Sequence, residues 1–183
     1  MSDTKERIQE CARELFAKQG VQRTSLQDIA SKLGITKPAL YYHFSSREDL
    51  VRSIVQPLID DGEAFVQRQE AGGRPSIREL LEGYFDFHYR HRNDVMLVLS
   101  EMTLSDLGLI DLVLGWRQRL TAVMFARKPT FTQATRAAIA LGGLECCCLE
   151  FPDASAKRLR AAAVAGAMAA LSGAQPRRNC APE

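Results

Sequence analysis

The sequence predicts an all-α fold, a short three-helix head followed by a larger helical domain. Two observations lead there. Apolar residues recur at helical spacing in almost every segment, and no segment alternates convincingly with the period of a strand. Aromatics make up only 7% of the 183 residues while Ala and Leu are plentiful, a composition that leans helical. The 46% hydrophobic content is enough for one extended core or two small ones.

The first helix is expected from about Asp3 to Lys18. Its stripe of Ile8, Cys11, Ala12, Leu15 and Phe16 lies on one helical face, and Gly20 stops it. The second begins at Ser25, where Ser25-Leu26-Gln27-Asp28 has the form of a capping box with Asp28 in place of Glu. Leu26, Ile29, Ala30 and Leu33 form its buried stripe, and Gly34 breaks it. Only Gly34-Ile35-Thr36 separates it from a third, short helix. That helix opens at Lys37-Pro38, with proline tolerated in a first turn, and runs to about Tyr42 or His43 with Leu40 and Phe44 facing inward.

A fourth helix starts near Ser45 or Ser46, capped through Glu48 or Asp49; it carries Leu50, Ile54, Leu58 and Phe65, with a kink expected at Pro57. Gly72-Gly73-Arg74-Pro75 reads as a loop, and Ser76 caps a fifth helix that breaks at Asn93-Asp94. Two or three shorter helices are expected from about Asp94 to Lys128, ended by Pro129. Two final helices span roughly Thr132 to Leu149 and Ala154 to Ser172, with Gly173 as a stop. Residues 175–183, holding Pro176 and Pro182, are expected to form a disordered tail.

The net charge is only +2, but it is uneven: residues 1–47 carry eight Lys/Arg against five Asp/Glu, and the remainder carries sixteen against seventeen. A basic head on a near-neutral body suits local contact with a polyanion. The N-terminus mixes charges of both signs without an apolar run behind it, and no stretch is long and charge-free enough to span a membrane. The cysteines number five, three of them adjacent at Cys146, Cys147 and Cys148. That is a poor disulfide framework, so a reduced cytoplasmic protein with free thiols is expected.

A three-residue turn containing Gly between two short amphipathic helices is the signature of a helix-turn-helix. Its second helix has to protrude into the major groove and present mostly hydrogen-bond donors to phosphates and base edges. Thr36, Lys37, Tyr41, Tyr42 and His43 supply hydroxyls, an ammonium and an imidazole on that helix. Thr24 and Ser25 stand at the start of the bracing helix, where N–H groups and the helix dipole attract a phosphate. Arg47 opens the fourth helix, placed for the flanking backbone.

The stretch Thr24-Ser25-Leu26-Gln27-Asp28-Ile29-Ala30, then Leu33-Gly34-Ile35-Thr36-Lys37, Leu40-Tyr41-Tyr42-His43-Phe44, and Arg47-Glu48 with Leu50 resembles the DNA-binding signature of the TetR family of repressors. The resemblance covers about residues 5 to 52; beyond them only length and helical pattern agree. It implies a homodimer whose helix-turn-helix domain, residues 1–46, binds DNA. It also implies that a larger domain, residues 47–174, binds a small molecule and forms the dimer. By the same carry-over Thr36, Lys37 and Tyr41 reach bases, while Ser25, Tyr42, His43 and Arg47 hold phosphates. Pro38-Ala39 depart from the small residues common in the family and leave base preference open.

Two heads must meet two half-sites about 34–36 Å apart or a multiple of that. The last two helices, with Ala137, Ala138, Ala140, Leu141, Gly142, Leu144 and the run from Ala161 to Leu171, offer small residues for a four-helix interface between subunits. The ligand-site candidates are Phe65, Phe85, His88, Tyr89, Met96, Leu99, Met102, Trp116, Leu120, Met124 and Cys147, suited to a largely apolar small molecule. Such a ligand would swing the fourth helix about Pro57 and shift the separation of the heads, releasing a palindromic operator. No catalytic group, metal or cofactor is expected. His88 and His91 stand three apart, but no paired Cys-x-x-Cys accompanies them and Arg90 and Arg92 flank His91. A redox trigger at residues 146–148 is a weaker reading than small hydrophobes in a packed helix.

Overall fold

The computed structural model describes residues 2–73, 76–99, 108–125 and 128–172, with the backbone alone for 2–3 and 96–99. Its described residues form eight helices: α1 (Ser2–Gln19), α2 (Leu26–Leu33), α3 (Lys37–His43), α4 (Arg47–Ala71), α5 (Ile77–Leu99), α6 (Leu109–Phe125), α7 (Phe131–Glu150) and α8 (Ala156–Ser172). The all-α class is therefore as expected. The described residues fall into two compact units, one within residues 1–64 and 91–113 and the other within 65–90 and 114–183.

The first unit is built on the predicted stripes. Ile8, Cys11, Ala12 and Phe16 of α1 pack with Leu26, Ile29 and Ala30 of α2, Leu40 of α3, Phe44, and Leu50 and Ile54 of α4. Leu15 and Leu33 close the edges. Each buried Leu, Ile or Phe among them contributes roughly 1.5–3 kcal/mol of hydrophobic stabilisation, so short helices that would not hold alone in water are fixed by packing. α1 ends where expected, at Gly20, whose N–H donates to Phe16 O at 2.8 Å.

In α4 the proline has a compensating partner. Pro57 lies inside the continuous helix Arg47–Ala71 and has no N–H to give to the carbonyl four residues earlier. That carbonyl belongs to Ser53, and Gln9 Nε2 of α1 donates to it at 3.3 Å and to Ser53 Oγ at 3.0 Å. Ser53 Oγ in turn donates to Leu50 O at 2.7 Å.

The break expected at Asn93-Asp94 is not there: α5 runs unbroken from Ile77 to Leu99. The turn-forming tendency of Asp is overridden because its carboxylate has tertiary partners. Asp94 accepts from Arg13 Nε at 3.0 Å and lies 3.9 Å from His91 Nδ1, while His91 Nε2 meets Asp61 Oδ2 of α4 at 3.0 Å. Between Asp94 and Lys128 the described residues form the last turns of α5 and the single helix α6. Met102, Arg74, Pro75, Gly173 and the tail expected at 175–183 lie outside the described residues.

Start signals hold at other helices too. Ser76 and Glu79 cap α5 reciprocally at 3.1 and 3.2 Å. Thr130 and Gln133 form a full capping box on α7, so that helix begins at Phe131 rather than near Thr132.

In the second unit α7 packs on α8, and Ala137, Ala140, Leu141 and Leu144 of α7 and Leu159, Val164 and Ala167 of α8 are buried. Tyr84, Phe85, Phe87, Trp116 and Leu120 are also buried. Among these apolar groups stands a polar cluster. Glu145 accepts from the Tyr84 hydroxyl and, in a fork, from Nε and Nη2 of Arg117, with His88 Nε2 at 3.8 Å. Burial, then the Glu145 charge, holds the Tyr84 phenol well above its ordinary pKa, and Glu145 raises that of Arg117.

Candidate nucleic-acid interface

The surface that could meet DNA is assembled by three caps and one left-handed residue. Ser25 caps α2: its Oγ accepts from Asp28 N at 3.1 Å, and Asp28 Oδ2 accepts from Ser25 N at 2.8 Å and Ser25 Oγ at 2.7 Å. Those bonds favour the ionised carboxylate and lower the Asp28 pKa, the Ser25 hydroxyl contributing most. Gly34 then adopts φ 67°, ψ 27° and its N–H returns to Ala30 O and Ser31 O. A Cβ at Gly34 would meet nothing within 4 Å, so the requirement is the left-handed backbone, which glycine adopts without strain.

Thr36 caps α3, its Oγ1 accepting from Ala39 N at 3.3 Å. An accepting hydroxyl keeps its own proton for a partner outside. Leu40 is fully buried and Phe44 nearly so, as expected, and this pins the rotation of α3. With about 100° per residue, the exposed positions are Thr36, Lys37, Pro38, Ala39, Tyr41 and Tyr42. Tyr42 is 74% exposed and Tyr41 45%, values foreign to core tyrosines. Lys37 Nζ lies 5.7 Å from the Tyr41 ring centroid, across one turn. The half-buried His43 ring packs edge-on against Tyr42 at 5.3 Å. Ser46 rather than Ser45 caps α4, accepting from Asp49 N at 3.0 Å, while Asp49 Oδ2 accepts from Ser45 N at 2.9 Å.

Two expected phosphate contacts differ in setting from the rest. Thr24 is only 1% exposed; its hydroxyl donates to Gly20 O at 2.8 Å and accepts from Gln19 Nε2 at 3.2 Å. Its side chain ties the α1–α2 turn together. Arg47 is turned back onto that same turn, donating from Nη1 to Val21 O and Gln22 O and from Nη2 to Gln22 Oε1.

Of the ligand-site candidates, Phe65, Phe85, His88, Trp116 and Leu120 are buried in the second unit, and Tyr89 and Met124 are partly so. Phe65, His88 and Trp116 are joined through Phe87, whose ring lies 6.3, 4.8 and 6.0 Å from theirs. Phe85 stacks on Tyr89 at 5.6 Å. Cys147 stands apart from this group, on an open apolar groove between α7 and α8. The side chains of Met96 and Leu99, like all of Met102, lie outside the described residues. Sequence reasoning missed the Tyr84–Arg117–Glu145 cluster; its signal was a lone carboxylate, Glu145, in the apolar run from Ile139 to Leu149.

Cys148, not Cys147, is the inward-facing member of the cysteine run. Partial burial, then Cys146 and Glu150, push the Cys147 thiol up, which lowers its thiolate fraction. Cys11 is raised too, by burial first. Among the described residues no group of three His, Cys, Asp or Glu is arranged to hold a metal ion, and no helix is long and apolar enough to cross a membrane.

A braced helix, a glycine turn and a short helix with donors on its exposed face make up a helix-turn-helix. Residues 8–54 match the N-terminal domain of bacterial regulatory proteins of the tetR family. The fold agrees over most of the chain. A transcriptional regulator of the TerR/AcrR family from Aquifex aeolicus VF5 superposes with a TM-score of 0.73 at 24% identity, covering 89% of this chain and 96% of that one. A TetR-like transcriptional regulator from Rhodococcus sp. RHA1 gives 0.71 at 22% identity, covering 92% and 95%. In sequence, the HTH-type transcriptional regulator YerO of Bacillus subtilis is 32% identical over 106 residues, 55% of this chain and 37% of that protein. The regulator TtgR of Pseudomonas putida is 35% identical over 69 residues, 38% of this chain and 33% of that one. The aligned part thus covers about a third of these relatives' length. Over residues 8–54 the chain is thus similar to the tetR family, and beyond them the likeness is one of fold.

Proposed function

We propose that this protein is a sequence-specific DNA-binding transcriptional regulator, a repressor released from a palindromic operator by a small, largely apolar ligand. The observation that carries the reading is the outer face of α3. Thr36, Lys37, Tyr41 and Tyr42 are exposed together while Leu40 beneath them is fully buried. Thr36, Lys37 and Tyr41 read base edges; Ser25, Tyr42 and His43 hold phosphates. The protein acts in the cytoplasm as a homodimer formed through α7 and α8. Support for the dimer is the groove of Ile139, Gly143, Cys147, Ala162 and Gly166, with Ile139 64% and the nearby helix-end Phe151 50% exposed.

The ligand binds in the second unit among Phe65, Phe85, His88, Tyr89, Trp116, Leu120 and Met124, with Met96, Leu99 and Met102 as further lining and Cys147 at its edge. It acts by moving α4 about Pro57. The decisive experiment is selection of bound duplexes from random DNA with purified protein. Recovery of a palindrome whose half-sites lie a helical turn or more apart is expected; enrichment of no sequence would overturn the proposal. Release of that duplex by apolar compounds tests the second half, and insensitivity to every compound that shifts the melting temperature would remove the induction mechanism.

A further inference from the structure

We propose that Arg47 is a positioning residue of the DNA-binding head, which fixes the α1–α2 turn instead of gripping a phosphate. The inference rests on the DNA-binding reading above. Arg47 is the first residue of α4, yet its bonds reach back 25 and 26 residues: Nη1 donates to Gln22 O at 3.2 Å and Val21 O at 3.4 Å, and Nη2 to Gln22 Oε1 at 3.2 Å. Glu48 Oε1 lies 3.4 Å from the same Nη2. Both terminal nitrogens thus already face protein oxygens, and the adjacent carboxylate offsets the charge that would attract a phosphate. The side chain is 28% exposed, less than a solvated arginine at a helix start.

The turn it holds matters for recognition. Residues 21–24 lead into Ser25, the cap of α2, and α2 sets the place of α3 through Gly34. Thr24 secures the same turn from the other side, through Gly20 O. The planar fork suits two acceptors at once, a geometry that a lysine ammonium does not reproduce.

The test measures binding of the full-length protein to its selected duplex and to an unrelated duplex of equal length, over a salt series. Arg47→Ala and Arg47→Lys are expected to weaken the selected duplex to similar extents, roughly tenfold or more. The unrelated duplex should lose less, and the slope of log affinity on log salt should match the wild type. Gln22→Ala, at an exposed residue, should weaken the selected duplex in the same direction without adding fully to Arg47→Ala. It keeps the test open if Arg47→Ala folds poorly, and melting curves separate a mere loss of stability, which would leave the selected-to-unrelated ratio unchanged. The inference is overturned if Arg47→Lys restores wild-type affinity, if Arg47→Ala lowers the salt slope by about 0.9, or if Gln22→Ala binds as well as or better than wild type. Should the wild type itself retain no duplex, the DNA-binding reading falls first, and this inference with it.

Discussion

Single residues separate the exposed face of the head from what holds it together. Lys37 and Tyr41 share one face of α3, with the ammonium 5.7 Å from the ring centroid, so the ring limits the range of the lysine before DNA arrives. Lys37→Ala should weaken the selected duplex by about 1–3 kcal/mol and relax preference at one base position. Fluorescence anisotropy on single-base variants would show it, and a uniform loss across all sequences would reduce Lys37 to a phosphate contact. A second prediction concerns Tyr84. Its phenol is held well above the ordinary value by burial and by Glu145, so the folded state favours the neutral form. Below pH about 10 both folded and unfolded phenols are protonated. Above it the unfolded chain ionises first, and stability is lost as pH climbs toward the folded value. Tyr84→Phe should cost on the order of 1.5–3 kcal/mol at neutral pH, the worth of a hydrogen bond to a charged group, and should flatten that alkaline decline. Urea unfolding between pH 8 and 12 gives the comparison, and an identical alkaline slope in both proteins would refute it. The sequence does not announce this cluster, because pairing Glu145 with Tyr84 and Arg117 is a long-range event that no local period records.

Helices make their own case through their ends. Ser25 with Asp28 and Ser76 with Glu79 could be read in advance because a capping box is local, complete within four residues. The Asn93-Asp94 break could not, since the residues that keep Asp94 in a helix, Arg13 and His91, include one 81 positions away. Pro57 lies between these cases: its presence in α4 is plain from sequence, its compensation by Gln9 is not. That compensation yields a third prediction. Pro57→Ala restores the N–H that Ser53 O lacks and removes the ring's steric conflict, effects worth about 3 kcal/mol, against a loss of about 0.4–1 kcal/mol from the freer unfolded chain. A net gain of roughly 1–3 kcal/mol is expected in denaturant midpoints. Gln9→Ala should cost less in the Pro57→Ala background than in the wild type, because Ser53 O then has an intrahelical donor. Equal costs in both backgrounds would show that the Gln9 amide does not substitute for the missing bond.

Across the whole chain, helical periodicity identified the class but not how the small residues of the last two helices are shared out. Ala137, Ala140, Leu141 and Leu144, all candidates for an intersubunit face, are buried within the single chain. The groove between the two helices is lined by Ile139, Gly143 and Cys147, which the small-residue stripe did not single out, and by Ala162 and Gly166, which lie in the run from Ala161 to Leu171. A stripe of small residues repeated on several faces cannot say which face is buried at home; only the tertiary contact decides. That distinction supplies the test of the dimer. A Cβ at Gly166 would meet no atom of its own chain within 4 Å, and leaving glycine in mid-helix favours the helix by up to about 1 kcal/mol. Gly166→Leu should therefore keep the helical circular dichroism and melting of the single chain. In a two-fold dimer the added bulk enters the interface twice, at about 1–3 kcal/mol each time if the face is close-packed. Sedimentation equilibrium should show the variant's dimer constant weakened by about thirtyfold or more, with half-site spacing lost from the selected duplex. If the variant stays as dimeric as the wild type, the two chains meet elsewhere; if the wild type is itself a monomer at micromolar concentration, two heads cannot be held at a fixed spacing by this groove.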